Sequence, residues 1–248
     1  MASTLITPRD LLVPAGEPAS LEVEVERQYA LFLDPPFAGA RVEVEAAATA
    51  ITGTSGEAAV PLGPLAPGVR RLRVRVGTGE VEAIVAAIPR DTPVFITDVD
   101  HTIADVSSAG FIFKSVDQVR PVEGAREALE RIAGSMQLVY LTARDHIFTA
   151  KTKEWLRLNR FPEAPVYLRR RTRFWTVAAR AHKLLRLREL RSSFPNIRWG
   201  VGDLPGDVHA YAAHGIPPIL ISAHPLAGLP DGTIQVKHWS EIAARVAP

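Results

Sequence analysis

Val94-Phe95-Ile96-Thr97-Asp98-Val99-Asp100-His101-Thr102 is an apolar, β-branched run that ends in two carboxylates one residue apart, followed by a hydroxyl. Such a run reads as a buried strand whose carboxyl end presents acid groups. Downstream, short apolar segments alternate with helical ones of ten or so residues. Strands are predicted over Val94–Thr97, Leu138–Leu141, Val166–Leu168, Ile197–Val201 and Ile219–Ile221, and helices over Glu123–Ala133, Ile147–Asn159, His182–Ser193 and Asp207–His214. An edge segment, Ile234–Val236, and a capped helix, Ser240–Val246, continue the pattern. Alternation of this kind implies an α/β fold with a Rossmann-like, doubly wound parallel sheet. In such sheets ligands bind outside the carboxyl ends of the strands.

Upstream the pattern is different. Leu21, Val23 and Val25 alternate with Glu22, Glu24 and Glu26, and Leu72, Val74 and Val76 alternate with Arg71, Arg73 and Arg75. A period of two marks strands with one buried face; the acidic and basic faces are read as solvated. Turn clusters such as Thr52-Gly53-Thr54-Ser55-Gly56 separate the strands. Residues 1–90 are therefore expected to form a small all-β sandwich, which resembles immunoglobulin-like or transthyretin-like accessory modules. Pro89 and Pro93 mark the junction with an α/β domain over 91–248.

The bulk numbers narrow the function classes. At 248 residues, 47% hydrophobic and 23% charged, the chain is long enough for one or two globular domains. A formal charge of +2 is too small to argue for nucleic-acid binding. With no cysteine there is no disulfide, thiolate metal site or cysteine nucleophile. Met1 to Asp10 lacks the basic start and apolar segment of a secretory leader, and no apolar run reaches bilayer length. A cytoplasmic location is expected, peripheral on a membrane at most.

The chemistry gathers at the strand tips. The first strand delivers Asp98 and Asp100, the second Thr142, and the fourth ends in Gly202-Asp203-Leu204-Pro205-Gly206-Asp207, while Lys183 is expected to open a helix before it. Carboxylates with a hydroxyl and an amine on one rim suit metal-assisted phosphoryl transfer, because Mg²⁺ takes a few carboxylates plus water and substrate phosphate. Asp98 is read as metal ligand and nucleophile, and Asp100 as proton shuttle and, through its backbone carbonyl, metal ligand. Thr142 and Lys183 are read as holding the transferring phosphoryl oxygens, with Asp203 and Asp207 completing the metal shell. Thr102, Arg144 and Gly202 are assigned to substrate. For Arg144 this means a bidentate phosphate contact, the competing reading being an ion pair with Asp145 or Asp203.

This ordered set resembles the haloacid dehalogenase superfamily of phosphatases over roughly residues 93–247: Asp98-x-Asp100-x-Thr102, Thr142, Lys183 and Gly202-Asp203-x-x-x-Asp207. A narrower likeness is carried by Tyr140-Leu141-Thr142-Ala143-Arg144, Thr152-Lys153-Glu154-Trp155-Leu156, Phe161-Pro162, Phe194-Pro195, Asp207-Val208-His209-Ala210-Tyr211 and Gly215-Ile216-Pro217. These are similar to the catalytic domain of the lipin phosphatidate phosphatases. His182-Lys183 and the leading β-domain resemble the actin-patch-type phosphatidate phosphatases. Two positions depart: His101 stands where these families carry Gly or Asp, and Asp203 where lipins carry Asn. The resemblance implies a Mg²⁺-dependent phosphomonoester hydrolase working through a phospho-aspartate, with phosphatidate or a related lipid phosphate as substrate.

Neither the Thr102–Thr142 gap nor the Thr142–Lys183 gap has room for a cap domain, so an open site is expected. Gly110-Phe111-Ile112-Phe113 stands where a flap would meet an acyl chain or pack beneath the loop; packing is the expectation. Arg169-Arg170-Arg171-Thr172-Arg173-Phe174-Trp175 mixes cations with aromatics and would contact an anionic membrane, the competing readings being a solvated loop with Trp175 buried and a contact with nucleic-acid phosphates. Rival readings are a phosphatase acting on a nucleic-acid end, phosphoprotein or small metabolite, and a catalytically silent module that binds membrane or protein.

Overall fold

A computed structural model describes residues 3–29, 35–169 and 175–246, and of 175–180 the backbone alone. The chain divides into two units, Met1–Pro89 and Arg90–Pro248.

In the first unit the period-two segments become strands: β1 (Ser3–Pro8), β2 (Leu11–Pro14), β3 (Pro18–Gln28), β4 (Arg41–Val44), β5 (Thr49–Ile51), β6 (Glu57–Pro64), β7 (Gly68–Val76) and β8 (Gly79–Ile88). They form a three-stranded sheet, β1-β3-β6, and a five-stranded sheet, β2-β8-β7-β4-β5. Leu21, Val23, Val25 and Val60 from one sheet share a core with Val42, Val74 and Val85 from the other, which makes the unit a sandwich. The charged faces are largely solvated, as read: Glu22, Arg71, Arg73 and Arg75 are exposed, and their ion pairs lie at the surface. The acidic β3 and the basic β7 lie in different sheets, yet each finds partners of its own. Arg73 meets Glu45 at 2.7 Å and Arg75 meets Glu80 at 2.5 Å, while Arg9 pairs with Glu22 and lies 3.2 Å from Glu57. Glu26, expected to be wet, is buried.

The second unit contains β9 (Val94–Thr97), α1 (Ser108–Phe113), α2 (Ala125–Ala133), β10 (Gln137–Asp145), α3 (Thr149–Leu158), β11 (Val166–Arg169), α4 (Trp175–Ser193), β12 (Ile197–Gly202), α5 (Pro205–Ala212), β13 (Pro218–Ile221), β14 (Ile234–Val236) and α6 (Trp239–Val246). The sheet runs β11-β10-β9-β12-β13-β14 and every pair in it is parallel. Central parallel strands are covered on both faces, and all four residues of β9 are buried. The chain leaves β9 for β10 on one side and later returns to β12 on the other. The carboxyl end of β9 is thus a switch point, the place where such sheets bind ligands.

Two helices differ from the sequence reading. α4 starts at Trp175 rather than near His182, so Lys183 lies well inside the helix instead of opening it. Ala178, Ala179 and Ala181 are strong helix formers and carry it through. His146–Phe148 forms a separate 3₁₀ turn ahead of α3. Among the described residues, the segments between β9 and β12 form no separate cap domain; α1 and α2 fill the first connection and α3, β11 and α4 the second.

Candidate active site

Asp98 is fixed at the tip of β9 by its backbone, whose N–H donates to Val201 O of β12 at 2.9 Å. The chain then turns sharply: Ile103 and Ala104 both donate to Val99 O at 2.9 Å. His101, within this turn, has φ of 53°, a left-handed backbone that glycine adopts without strain and histidine does not. The turn is pinned from α6 by Trp239, whose indole Nε1–H donates to Thr102 O at 2.7 Å.

A pocket of about 480 Å³ opens at this tip, lined among others by Asp98, Asp100, His101, Ser108, Lys183, Asp203 and Asp207. Lys183 reaches from α4 between two carboxylates, 3.0 Å from Asp98 Oδ2 and 2.6 Å from Asp207 Oδ1. Asp207 sits in the first turn of α5, where the helix dipole favours a negative charge. Its approach depends on a missing side chain. A Cβ on Gly202 would lie 2.5 Å from Asp207 Cβ and 2.7 Å from its Oδ2, and one on Gly200 would lie 2.4 Å from the Tyr211 ring. Gly202, assigned to substrate from the sequence, makes room for Asp207.

Asp98, Asp203 and Asp207 each bring one oxygen within 4.8 Å of the others. Asp98 Oδ1 and Asp207 Oδ2 are buried without a hydrogen-bond partner. Burial pushes the Asp98 carboxyl up to about 7, against Lys183, with Asp207 and Asp100 adding to the rise. Burial and Asp207 also raise Asp203. Burial works against the Lys183 ammonium, but Asp98 and Asp207 hold it above its ordinary value. Three carboxylates facing one ammonium leave an excess of negative charge. Orphaned oxygens at the right separation, all from hard oxygen donors, fit a divalent cation such as Mg²⁺. Thr102 Oγ1 donates to Asp203 Oδ1 at 3.3 Å, so it orients a member of this cluster.

Asp100 belongs to a different constellation. Its Oδ1 accepts from Arg144 Nε at 3.0 Å and Nη2 at 2.8 Å. Its Oδ2 accepts from Ser108 Oγ at 2.5 Å and Thr142 Oγ1 at 3.3 Å. The Asp100 carboxylate is outside the three-carboxylate cluster assigned to metal, and Thr142, fully buried, turns its hydroxyl to Asp100. Arg144 is not among the residues lining the pocket and pairs with neither Asp145 nor Asp203; its side chain is 1% exposed, with Nε and Nη2 on Asp100 and Nη1 on Thr152. The reason lies in β10, which runs beyond Thr142 to Asp145 with a register shift after Leu141. Ala143 consequently lines the pocket while Arg144 points into the core.

Sequence reasoning missed Ser108 and Trp239, and noted Thr152 only as part of a lipin-like segment. Ser107-Ser108 before an apolar run is a helix-start signature and would have found α1, which Ser107 caps by accepting from Gly110 N at 3.0 Å. Nothing local signals that Trp239, 137 positions away, reaches Thr102. The Gly110–Phe113 segment splits: Phe111 is fully buried and Phe113 is 87% exposed. In the basic run, Arg169 is buried and bonds Asp145 and Ala143 O; Arg170–Phe174 and the Trp175 side chain lie outside the described residues.

The family model PITM 1-3, LNS2 domain matches residues 95–222, more than half of the chain, and every residue named as lining the pocket falls inside the match. The chain belongs to the LNS2 domain family. No curated protein matches it. Among solved structures, this LNS2 chain is similar to a chain of the Pnkp1/Rnl/Hen1 RNA repair complex, at 14% identity and TM-score 0.46, covering 52% of this chain and 42% of that one. It is also similar to a haloacid dehalogenase-like family hydrolase from Xanthomonas campestris, at 15% identity and TM-score 0.45, over 63% of this chain and 95% of that one. A haloacid dehalogenase superfamily hydrolase from Geobacter sulfurreducens is 18% identical with TM-score 0.42, over 62% and 96%. The LNS2 unit has a Rossmann-like, parallel doubly wound sheet, preceded in the chain by a β-domain.

Proposed function

We propose that the LNS2 unit is a Mg²⁺-dependent phosphomonoester hydrolase working through phospho-Asp98, with phosphatidate or a related lipid phosphate as substrate. The observation that carries this reading is the orphaned, buried Oδ1 of Asp98 beside Lys183, at the floor of an open pocket ringed by further carboxylates. An unpartnered carboxylate oxygen in a closed core is costly; one facing a reaction space serves as cation ligand or nucleophile.

Asp98, Asp203 and Asp207 would hold Mg²⁺, which when bound neutralises charge on the phosphoryl group and its attacking oxygen. An Asp98 oxygen attacks phosphorus, the bond from phosphorus to the leaving oxygen breaks, and Asp100, which takes up a proton before this step, passes it to that oxygen. Water then attacks the phosphorus of phospho-Asp98 and gives a proton to Asp100; phosphate leaves and the Asp98 carboxylate is restored. Lys183 stays charged throughout and offsets the negative charge that gathers around Asp98.

The lipid substrate is supported by the apolar rim. Ala109 and Leu204 line the mouth, Leu204 is 57% exposed, and α1 ends in the exposed Phe113. Peripheral contact with an anionic surface through the run from Arg170 to Trp175 is part of the proposal; the buried Arg169 is not. Phosphate release from phosphatidate in mixed micelles, compared with a soluble aryl phosphate and with and without Mg²⁺, tests both parts. Mg²⁺-dependent release from phosphatidate is expected. Brisk aryl-phosphate turnover with none from phosphatidate would remove the lipid substrate, and silence on both would remove the phosphatase.

A further inference from the structure

Among the described residues of the LNS2 unit, Arg144 is the most deeply buried arginine. A buried ion pair contributes little net stability compared with a well-packed apolar pair, since desolvation offsets the attraction. Its position therefore calls for another explanation, and the contacts supply one. Both nitrogens facing Asp100 converge on one oxygen, Oδ1, while two hydroxyls take the other. Four donors on two oxygens fix both the tilt and the plane of a carboxylate that would otherwise rotate freely. Asp100 itself lines the pocket.

The clamp is held in turn. The Arg144 guanidinium carbon lies 3.5 Å from the Phe111 ring centroid, and Nη1 donates to Thr152 Oγ1 of α3 at 3.2 Å. Trp155, 6.0 Å beyond, is tied by Nε1 to Val119 O at 2.8 Å. Phe111 and Ser108 both belong to α1, so one short helix supplies the plate beneath the arginine and the hydroxyl on the far side of the aspartate. Lys151 ties the end of that helix down by donating to Phe111 O at 2.6 Å and Ile112 O at 3.3 Å. The planar fork is what stacks on an aromatic face and meets a carboxylate at the same time, which an ammonium does not do.

We infer that Arg144 is a positioning residue: stacked on Phe111, it works with Ser108 to aim the Asp100 carboxylate at the leaving oxygen, and it does not bind the substrate phosphate. The inference rests on the proposed hydrolase reading for its kinetic consequence, and on geometry alone for the clamp.

The decisive variant is Arg144→Lys, which keeps the charge and loses the fork. A misaimed proton donor costs most where the leaving oxygen needs a proton. The expected kcat/KM on an alkyl phosphate, which reports the phosphorylation step alone and not the shared hydrolysis of phospho-Asp98, falls roughly 100-fold. On a nitrophenyl phosphate, whose leaving group needs little protonation, it falls by no more than about fivefold. A raised KM with kcat kept would make Arg144 a phosphate ligand after all. Equal losses on both substrates together with a lower melting temperature would make it a purely structural residue. No change would also overturn the inference. Should Arg144→Lys fail to fold, Ser108→Ala frees Oδ2 from the pocket side without opening the core, and the same split between substrates is expected at roughly fivefold to tenfold. The clamp also has a readout that needs no turnover. The Arg144 Nε–H resonance is expected to be shifted downfield and slow to exchange, and to exchange about tenfold faster in Asp100→Asn. A wild type silent on every phosphomonoester but showing that response defeats the hydrolase reading and leaves the clamp standing; an Nε–H indifferent to Asp100→Asn defeats the clamp whatever the turnover.

Discussion

Asp98 and Asp100 are two residues apart and both buried, yet they sit in opposite electrostatic situations. Around Asp98, three carboxylates share one ammonium and two buried oxygens go unpartnered. Around Asp100, both oxygens are saturated by a guanidinium and two hydroxyls. The first half is incomplete as a protein and is made whole by something that binds. The second half is complete before anything arrives. An active site needs both kinds of order: a deficit that a ligand fills, and a fixed frame against which the ligand is placed.

The largest effect that tests this contrast is on turnover. Asp98→Asn is expected to reduce phosphomonoester hydrolysis by about 10⁴-fold or more, since on the proposed mechanism it replaces the nucleophilic carboxylate with an amide. The same change relieves repulsion and should leave the cation-free melting temperature equal or higher. Arg144→Met is expected to do the reverse to stability. It strands the Asp100 charge in the core and should cost about 3–5 kcal/mol in denaturant unfolding of the LNS2 unit. If the two variants destabilised alike, the contrast between the halves would be lost.

The cation comes next. Mg²⁺ at 100 times its dissociation constant should stabilise the protein by about 2.7 kcal/mol, and Asp207→Asn should abolish most of that gain while Ser108→Ala leaves it intact. Thermal shift against Mg²⁺ concentration reads this directly. The pH dependence follows from the same deficit. The Asp98 carboxyl is raised from 3.8 to about 7 on folding, so between these values the folded chain holds a proton that the unfolded chain has released. By linkage, its contribution to cation-free stability declines as pH rises through that window and levels off above about 7. Asp98→Asn should flatten the slope, and an unchanged slope in that variant would assign it elsewhere.

The smallest effect concerns the turn between the halves. His101→Gly removes the strain of φ 53° but loosens the unfolded chain. The net change should stay within about 1 kcal/mol, on the stabilising side. A clear loss of stability would mean that the imidazole holds the turn by contacts of its own.

Much of this could be read in the chain beforehand, and the reason is periodicity. Val94–Thr97 followed by Asp98 and Asp100 marks a central parallel strand and its tip, because a strand buried on both faces has no other composition. Asp203 and Asp207 flank the start of α5, whose N-terminal Pro205 is a local signal. Properties that depend on partners distant in sequence were not legible. Arg144 was assigned to phosphate because strand spacing alone does not reveal the register shift that turns Ala143 outward and Arg144 inward. The helix start read at His182 overlooks Ala178, Ala179 and Ala181, whose helix propensity extends α4 back to Trp175. The division of Phe111 from Phe113 is set by which side of a six-residue helix meets the core. The charged faces of β3 and β7 carry the same alternation, and only strand pairing within each sheet decides which glutamate answers which arginine.

The two bare positions on β12 have a consequence for how this site tolerates change. Gly200 and Gly202 act as a machinist's clearance: the ring of Tyr211 and the carboxylate of Asp207 occupy the space where methyl groups would stand. The distance between helix and sheet, and with it the spacing of the carboxylates, is thus gauged by two hydrogen atoms. A single carbon added at position 202 would shim α5 outward and detune the site without altering any group that takes part in the chemistry.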